Sequence, residues 1–405
     1  MAHGAVTKFL IYSQDGLGLG HLRRNVNICY QIKKRCPQAS CLIIADSPVA
    51  PFFKLPSHCD FIKIPTLVKV DTGVWRAERL AVQQHELMAM RAELIRNVLS
   101  GFQPDVFLVD HMPHGALGEL LEPLAELRRH SPQTKLILGI RDILGAPEVI
   151  RKQWETEGAF AAIAEYYDAV CIYGSSDLFD AAAEYQFPAV VRDRARYCGY
   201  VCRDEAQVNP EDKKPLPGNA LSDNGVKRNG RLAEKFVLIT GGGGADAAYM
   251  MDRFIDAVRR LKNEIPFQAF IATGPFVHKE QRKLLRQKSQ GLPITVGRME
   301  GDSIRYFRRA DLVVSMAGYN TISEIMLFRK NALVVPRAGP SAEQTMRTRL
   351  MSQRGLFSTI APQTLTGENM AEQLFSQLHA GQNIPEARLP DLNGAQRVAE
   401  FILQS

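Results

Sequence analysis

Compact apolar runs alternate along this chain with longer amphipathic stretches, and most runs stop at a glycine, an acid or a small polar cluster. Residues 9–12, 40–45, 61–64, 106–111, 136–140, 169–173 and 197–201 read as one set of strands. Residues 236–240, 267–273, 294–296, 311–316, 333–335 and a short run to 360 read as a second. Runs apolar at every position suit strands covered on both faces, and the helical stretches between them suit crossovers of a parallel sheet. Between the sets, residues 203–231 mix prolines, asparagines, glycines and charge without hydrophobic period, which reads as a linker or exposed excursion. The pattern predicts an α/β protein with one domain over residues 1–202, a linker over 203–234, a second domain over 235–390 and a final helical segment over 391–405.

The stretch 311–356 carries the most chemistry. An apolar strand ends at Ala317-Gly318, helical spacing follows, a short strand at 333–335 leads into the loop 336–340, and a second helix runs from Glu343 until Gly355 ends it. The two strand-to-helix corners lie about 25 residues apart, the repeat of one βαβ unit. In an open parallel sheet both fall at the carboxyl edge, where ligands bind. Gly318 permits close backbone approach, and Asn320, Thr321 and Ser323 offer donors at a helix start that favours an anion. Glu324, one turn on, suits the paired hydroxyls of a ribose. Glu343 and Gln344 can reach sugar hydroxyls, beside Pro336-Arg337 at the same edge. The plainer alternative makes Asn320 and Ser323 helix caps and Glu324 a solvated first-turn acid.

Two more corners matter. Gly241, Gly242, Gly243 and Gly244 stand directly between a strand and a helix, leaving backbone N–H groups to line up on a diphosphate, and the lack of a following Lys-Ser/Thr excludes a P-loop. Gly16, Gly18 and Gly20 form a second glycine-rich turn before a helix near Leu22; it permits a ligand to approach the helix N-terminus without making the dinucleotide pattern. His21 stands at its mouth with Arg23 and Arg24 behind it, and imidazole there can take the proton of an attacking hydroxyl or merely cap the loop. Asp110, followed by His111 and His114, ends another strand. Ser175 and Asp177 read as a helix start. The connection 70–79, with Trp75, either touches an acceptor or folds on its own domain.

Composition narrows the partners. A length of 405 residues fits two domains of ordinary size, and 45% hydrophobic with 23% charged content is that of a globular protein. A net charge of +7 favours an anionic ligand or an acidic membrane face. Nucleic acid is disfavoured, because the basic residues are spread along helices with no Arg-rich tail or basic-aromatic groove. Seven cysteines without Cys-x-x-Cys spacing argue for a reducing compartment and against zinc. No apolar run reaches the roughly 18 residues of a spanning helix, and residues 1–6 lack the start of a signal peptide. A cytoplasmic location follows as the expectation, compatible with peripheral contact at the inner face of a membrane.

The order Gly-x-Asn-Thr-x-Ser-Glu from Gly318, then Val334-Val335-Pro336-Arg337, then Glu343-Gln344 and a helix with Arg347 and Arg349, resembles the nucleotide-sugar half of GT-B glycosyltransferases. The nearest likeness is to the family 28 group that contains the MurG-type N-acetylglucosaminyltransferases of lipid-linked peptidoglycan precursors. That resemblance implies two Rossmann-like domains facing an interdomain cleft, with residues 391–405 crossing back to the first. It implies a UDP-sugar donor, ribose on Glu324, donor sugar on Gln344, and the base against backbone at Arg298 and Met299. It further implies that Asp110 orients His21; read from the residues alone, Asp110 equally caps the next helix. The reaction implied is inverting transfer of a hexosyl group, N-acetylglucosamine among the candidates, to an acceptor hydroxyl that is small, lipid-linked or part of a polysaccharide. The glycine loop, the Asn320 helix start and Arg337 would offset the leaving diphosphate. No Asp-x-Asp pair ends a strand here, so neither a metal nor another cofactor is expected. The first glycine loop is sparser than in the resembled enzymes, which leaves the acceptor open. The rival readings are hydrolysis or epimerisation of a UDP-sugar on the same fold, and a binding protein without catalysis.

Overall fold

The structure is a computed structural model that describes residues 7–404, apart from 17–18, 72–73, 205–234, 244–245, 262–264, 300–302, 340–341 and 382. Gly244, a helix start expected at Asp302, and the expected linker beyond Asp204 lie outside the described residues. The chain divides into two compact units, residues 1–202 with 390–405, and residues 203–389.

The first unit begins with β1 (Lys8–Ser13), α1 (Gly20–Arg35), β2 (Ser40–Ala45), β3 (Cys59–Lys63), β4 (Leu67–Asp71) and β5 (Val74–Ala77). It continues with α2 (Gln84–Phe102), β6 (Val106–Asp110), α3 (Leu121–His130), β7 (Lys135–Arg141), α4 (Pro147–Thr156) and α5 (Ala159–Tyr166). It closes with β8 (Ala169–Tyr173), α6 (Ala181–Glu184), α7 (Ala189–Arg192) and β9 (Ala195–Tyr197). Seven strands form a parallel sheet in the order β3-β2-β1-β6-β7-β8-β9. Every residue of β6 and β8 is buried, which is why both read as apolar runs, that of β6 as far as the Asp110 that ends it. The strand order reverses between β1 and β6, the point where doubly wound sheets open a crevice beyond their carboxyl ends.

The second unit runs β10 (Lys235–Thr240), α8 (Ala248–Leu261), β11 (Phe267–Ala272), α9 (Lys279–Lys288), β12 (Ile294–Gly297) and α10 (Ile304–Arg309). Then come β13 (Leu312–Ser315), α11 (Tyr319–Leu327), β14 (Ala332–Val334), α12 (Glu343–Gln353), β15 (Ser358–Thr359) and α13 (Gly367–Ala380). Its parallel sheet has the order β12-β11-β10-β13-β14-β15 and reverses between β10 and β13. The amphipathic α8 buries Met250, Met251, Phe254, Ile255 and Val258 in this unit's core. Gly367 lets α13 start hard against α8, since a Cβ there would fall 2.8 Å from that of Asp256. The last helix, α14 (Gly394–Gln404), belongs to the first unit and packs on α1, with Arg35 Nη2 2.6 Å from Glu400 Oε1. A Cβ on Gly394 would meet Gly199 O at 2.3 Å, so only glycine fits this return.

Three sequence expectations change. The connection 70–79 folds into an antiparallel hairpin of β4 and β5. Ser175 and Asp177 form a turn, and the following short helix starts later, where the Asp180 side chain accepts Ala183 N–H. The strand expected over 197–201 ends at Tyr197, two residues before Gly199 takes a φ of 86°. Among the described residues, no helix is long and apolar enough to cross a membrane.

Candidate functional site

At the first unit's switch point, the register pairs Ser13 with Asp110, so the end of β6 lies beside the turn that leads into α1. His21 Nδ1 stands 3.2 Å from Asp110 Oδ2. Asp110 is fully buried; Arg24 Nη2 donates to its two oxygens at 2.9 and 2.8 Å, and Asn25 Nδ2 donates at 3.2 Å. Arg24 Nη2 also lies 2.9 Å from His21 Nδ1. In the tautomer whose Nδ1–H donates to Asp110, Nε2 is the basic nitrogen, the arrangement in which a carboxylate orients an imidazole. Burial raises the Asp110 pKa, yet Arg24 and His21 outweigh it and hold the carboxyl well below the usual carboxylate range.

Arg24 is itself buried and lies over the Tyr173 ring at 5.2 Å. The ring has room because β7 carries Gly139 beside it, where a Cβ would fall 1.8 Å from the Tyr173 hydroxyl. His111 follows Asp110 with a φ of 83°, a left-handed conformation that costs a non-glycine residue about 1–3 kcal/mol and gathers at functional sites. Its ring centroid lies 5.2 Å from that of His21. Burial first, then the Arg141 guanidinium, push the His111 pKa well below the usual imidazole range, so this ring is neutral.

Two carboxylates hold the described residues of this unit's glycine-rich turn, of which Leu17 and Gly18 lie outside the described residues. Asp15 accepts His21 N–H at 2.8 Å and Leu22 N–H at 2.6 Å, filling the N-terminus of α1 with a carboxylate. Asp46 holds the turn from below, accepting the amides of Asp15 at 2.8 Å and Gly16 at 3.0 Å. Behind it Arg91 makes a two-pronged contact with Glu119 at 2.6 and 2.7 Å, within 3.7 Å of Asp46. A carboxylate thus stands on the amides of His21 and Leu22, so a phosphate at these two amides would face Asp15.

The second unit's switch point differs. No side chain caps α11 and no acid stands in its first turn; Gly318 occupies the N-cap with open space around its Cβ position. Gly242, with a φ of 64°, brings its Cβ position within 3.8 Å of Thr321 Oγ1, so the glycine loop after β10 borders the start of α11. Gly243 O accepts Phe276 N–H at 3.2 Å, and Gly274 is pressed so close that a Cβ would meet Gly243 O at 2.1 Å. The loop is thus set by backbone contact, with its tip turned to α11.

Around this corner, the Ser323 hydroxyl donates to Tyr319 O at 2.9 Å inside the helix. Asn320 and Thr321 are half-buried in the first turn. Glu324 is buried rather than solvated; Ser303 Oγ donates to its Oε1 at 3.3 Å, and Arg203 Nε lies 3.9 Å away. Glu343 Oε1 accepts from Arg347 at 2.9 Å, and the same Arg347 Nη1 donates to Ala317 O at 2.9 Å, tying α12 to the corner. Gln344 Oε1 accepts Arg337 N–H at 3.0 Å, while the Arg337 guanidinium pairs with Asp246 at 2.7 Å across an exposed surface. Arg298 and Met299 follow β12, Arg298 exposed and Met299 half-buried. Arg347, Asp15, Asn25 and Asp46 were not singled out from the sequence as site residues. The i, i+3 spacing of His21 and Arg24 was the one readable signal for Arg24.

Residues 236–400 match the model of the glycosyltransferase family 28 C-terminal domain. The UDP-N-acetylglucosamine N-acetylmuramyl-(pentapeptide) pyrophosphoryl-undecaprenol N-acetylglucosamine transferase 1 of Bacillus cereus is 23% identical over 190 residues, 44% of this chain and 52% of that protein. The corresponding transferase 2 of Bacillus thuringiensis is 21% identical over 257 residues, 61% of this chain and 62% of that one. The chain thus spans less than two thirds of the length of either relative. Among solved structures, MurG of Acinetobacter baumannii aligns with a TM-score of 0.60 at 15% identity, covering 99% of this chain and 100% of that one. The UDP-GlcNAc 2-epimerase of Neisseria meningitidis aligns equally well, 0.60 at 12% identity over 99% and 100% of the two chains. The protein has the GT-B fold, and its residues 236–400 match the family 28 C-terminal domain found in MurG-like glycosyltransferases, which it resembles.

Proposed function

We propose that the protein transfers a hexosyl group, N-acetylglucosamine in the first instance, from a UDP-sugar to an acceptor hydroxyl with inversion at the anomeric carbon. The observation that carries this reading is the acid-free, side-chain-uncapped start of α11 beside the glycine loop, at the switch point of the unit that matches the family model. The diphosphate sits on amides of that corner and of Gly242 and Gly243, the ribose hydroxyls take Glu324 from Arg203, and Gln344 and Glu343 face the sugar. Arg298 and Met299 border the base. His21 Nε2 takes the acceptor proton as the acceptor oxygen bonds to the anomeric carbon, and the bond to UDP breaks with its electron pair leaving on the diphosphate. Asp110 steadies the imidazolium so formed, and the amides with Arg337 offset the charge that develops on the leaving group.

The names of the relatives favour a lipid-linked acceptor, met at the cytoplasmic face of a membrane by a protein of net charge +7. A thermal-shift panel of nucleotide-sugars finds the donor, because a ligand at 100-fold its dissociation constant adds about 2.7 kcal/mol. Product analysis with labelled donor then tests the reaction. Sugar transferred only when an acceptor is present supports it. Free sugar released at full rate without acceptor makes the protein a hydrolase, interconverted UDP-sugars make it an epimerase, and UDP binding without turnover that is indifferent to His21→Ala makes it a binding protein.

A further inference from the structure

The cysteines carry a feature their spacing hides. Cys29 on α1, Cys41 on β2 and Cys59 on β3 come together with their three sulfurs within 4.8 Å of one another. The sheet register sets two of them side by side, Cys41 opposite Cys59, and Cys29 descends on them from the helix. Cys29 and Cys41 are buried, whereas Cys59 is half-buried on the sheet's edge strand. One turn along α1, Lys33 is also buried; its ammonium donates to Ala39 O at 2.6 Å and to Pro37 O, and contacts His58 Nδ1 at 3.1 Å. Among the described residues no carboxylate pairs with Lys33. A buried ammonium without an acid is costly unless negative charge gathers beside it. Cysteine used only as a small apolar filler needs neither a second thiol nor a cation.

We propose that Cys29, Cys41 and Cys59 form a binding site for one thiophilic metal ion, Zn2+ or Cu+. Sulfur donors select these ions and turn away Mg2+ and Ca2+, which take oxygen. Zinc–sulfur bonds of about 2.3 Å set tetrahedral sulfurs about 3.8 Å apart, so the observed separations, all under 4.8 Å, close by about 1 Å at most. Each thiol gives up its proton as its metal–sulfur bond forms, and Lys33 offsets the negative charge of the resulting complex. Cys59, at the edge, is the entry point. The site lies about 12 Å along α1 from His21 at 1.5 Å per residue, so it braces the helix that carries the base and takes no part in the transfer step.

The test uses the full chain, reduced and freed of metal under inert gas. Separate samples take Zn2+ or Cu+ in the presence of a weak competing chelator, are desalted, and the bound metal is counted by mass spectrometry. The expected result is one equivalent of one ion retained, and the ion retained names the metal. Cys59→Ser loses it, whereas Cys36→Ser, outside the cluster, keeps it. Co2+ in place of Zn2+ gives the sulfur-to-cobalt charge-transfer absorption in the near ultraviolet. No retention of either ion above the level of Cys59→Ser overturns the proposal. Should Cys59→Ser not fold, alkylation mapped by peptide mass on the unaltered chain decides: the metal shields Cys29, Cys41 and Cys59 together if the site is real. Absence of shielding, or a Cys41–Cys59 disulfide in place of metal uptake, contradicts it.

Discussion

Two strand-to-helix corners, one in each unit, start their helices in opposite ways. After β1 the turn places Asp15 on the N-terminal amides of α1, and Asp46 fixes the turn. After β13 the turn ends in Gly318, and α11 starts without a side-chain cap or a nearby acid. Both are switch points of parallel sheets, so topology makes each a place for chemistry. The position of one carboxylate separates them. In the first corner a carboxylate meets the helix dipole and holds the turn that carries His21; in the second no side chain does so, which is the feature the proposed diphosphate site rests on.

The largest effect expected is at the first corner. His21→Ala should lower transfer by about 10²–10⁴-fold, the range for loss of a general base, with unchanged UDP affinity. Unchanged turnover would remove the first unit from the chemistry. Asp110→Asn leaves Arg24 buried without its counter-charge and should cost about 3–5 kcal/mol in denaturant titration. A loss under 1 kcal/mol would mean that the buried pair is not formed.

Exchanging the character of the corners sharpens the contrast. Gly318→Asp gives α11 the acid that α1 has; it should stabilise the protein by about 1 kcal/mol and weaken UDP by tenfold or more. Stabilisation with full UDP affinity would move the nucleotide elsewhere. In the other direction, Asp15→Asn removes the charge that holds α1 and should cost about 1 kcal/mol without changing UDP binding.

The smallest effect is in pH. His111 has its folded pKa held below the unfolded value, so its contribution to stability is present above about pH 6.5 and is lost as pH falls toward the folded value. The slope reaches at most about 1.4 kcal/mol per pH unit for one site. His111→Asn, which tolerates the left-handed backbone, should flatten the fall in stability between pH 6.5 and pH 5.5 measured by urea titration. His114, shifted down mainly by burial, keeps part of the slope. Identical slopes in both proteins would show His111 to be solvated.

The strands of both sheets were legible because parallel strands buried on both faces are apolar at nearly every position, as 106–109 and 236–239 are. The β4–β5 hairpin was not, since its residues mix Lys69, Asp71 and Arg76 with apolar ones and read as a polar connection. Glycines, histidine and acids at strand ends marked His21, Asp110, Gly242 and Gly318 as candidates. The partners that give these residues their character were hidden. Asp15 reaches amides six and seven residues ahead, beyond the usual cap spacing, and Arg347 reaches back across a βα turn to Ala317. The thiols of Cys29, Cys41 and Cys59 meet through strand register and helix packing, which no local motif encodes.

The most direct test is a crystal structure of the protein grown with UDP. The account places the diphosphate oxygens about 2.7–3.2 Å from amides in the first turn of α11 and the glycine loop after β10, with the ribose on Glu324 and Arg203 moved aside. UDP at the start of α1, or a β10–β13 corner without UDP at saturating concentration, would contradict it.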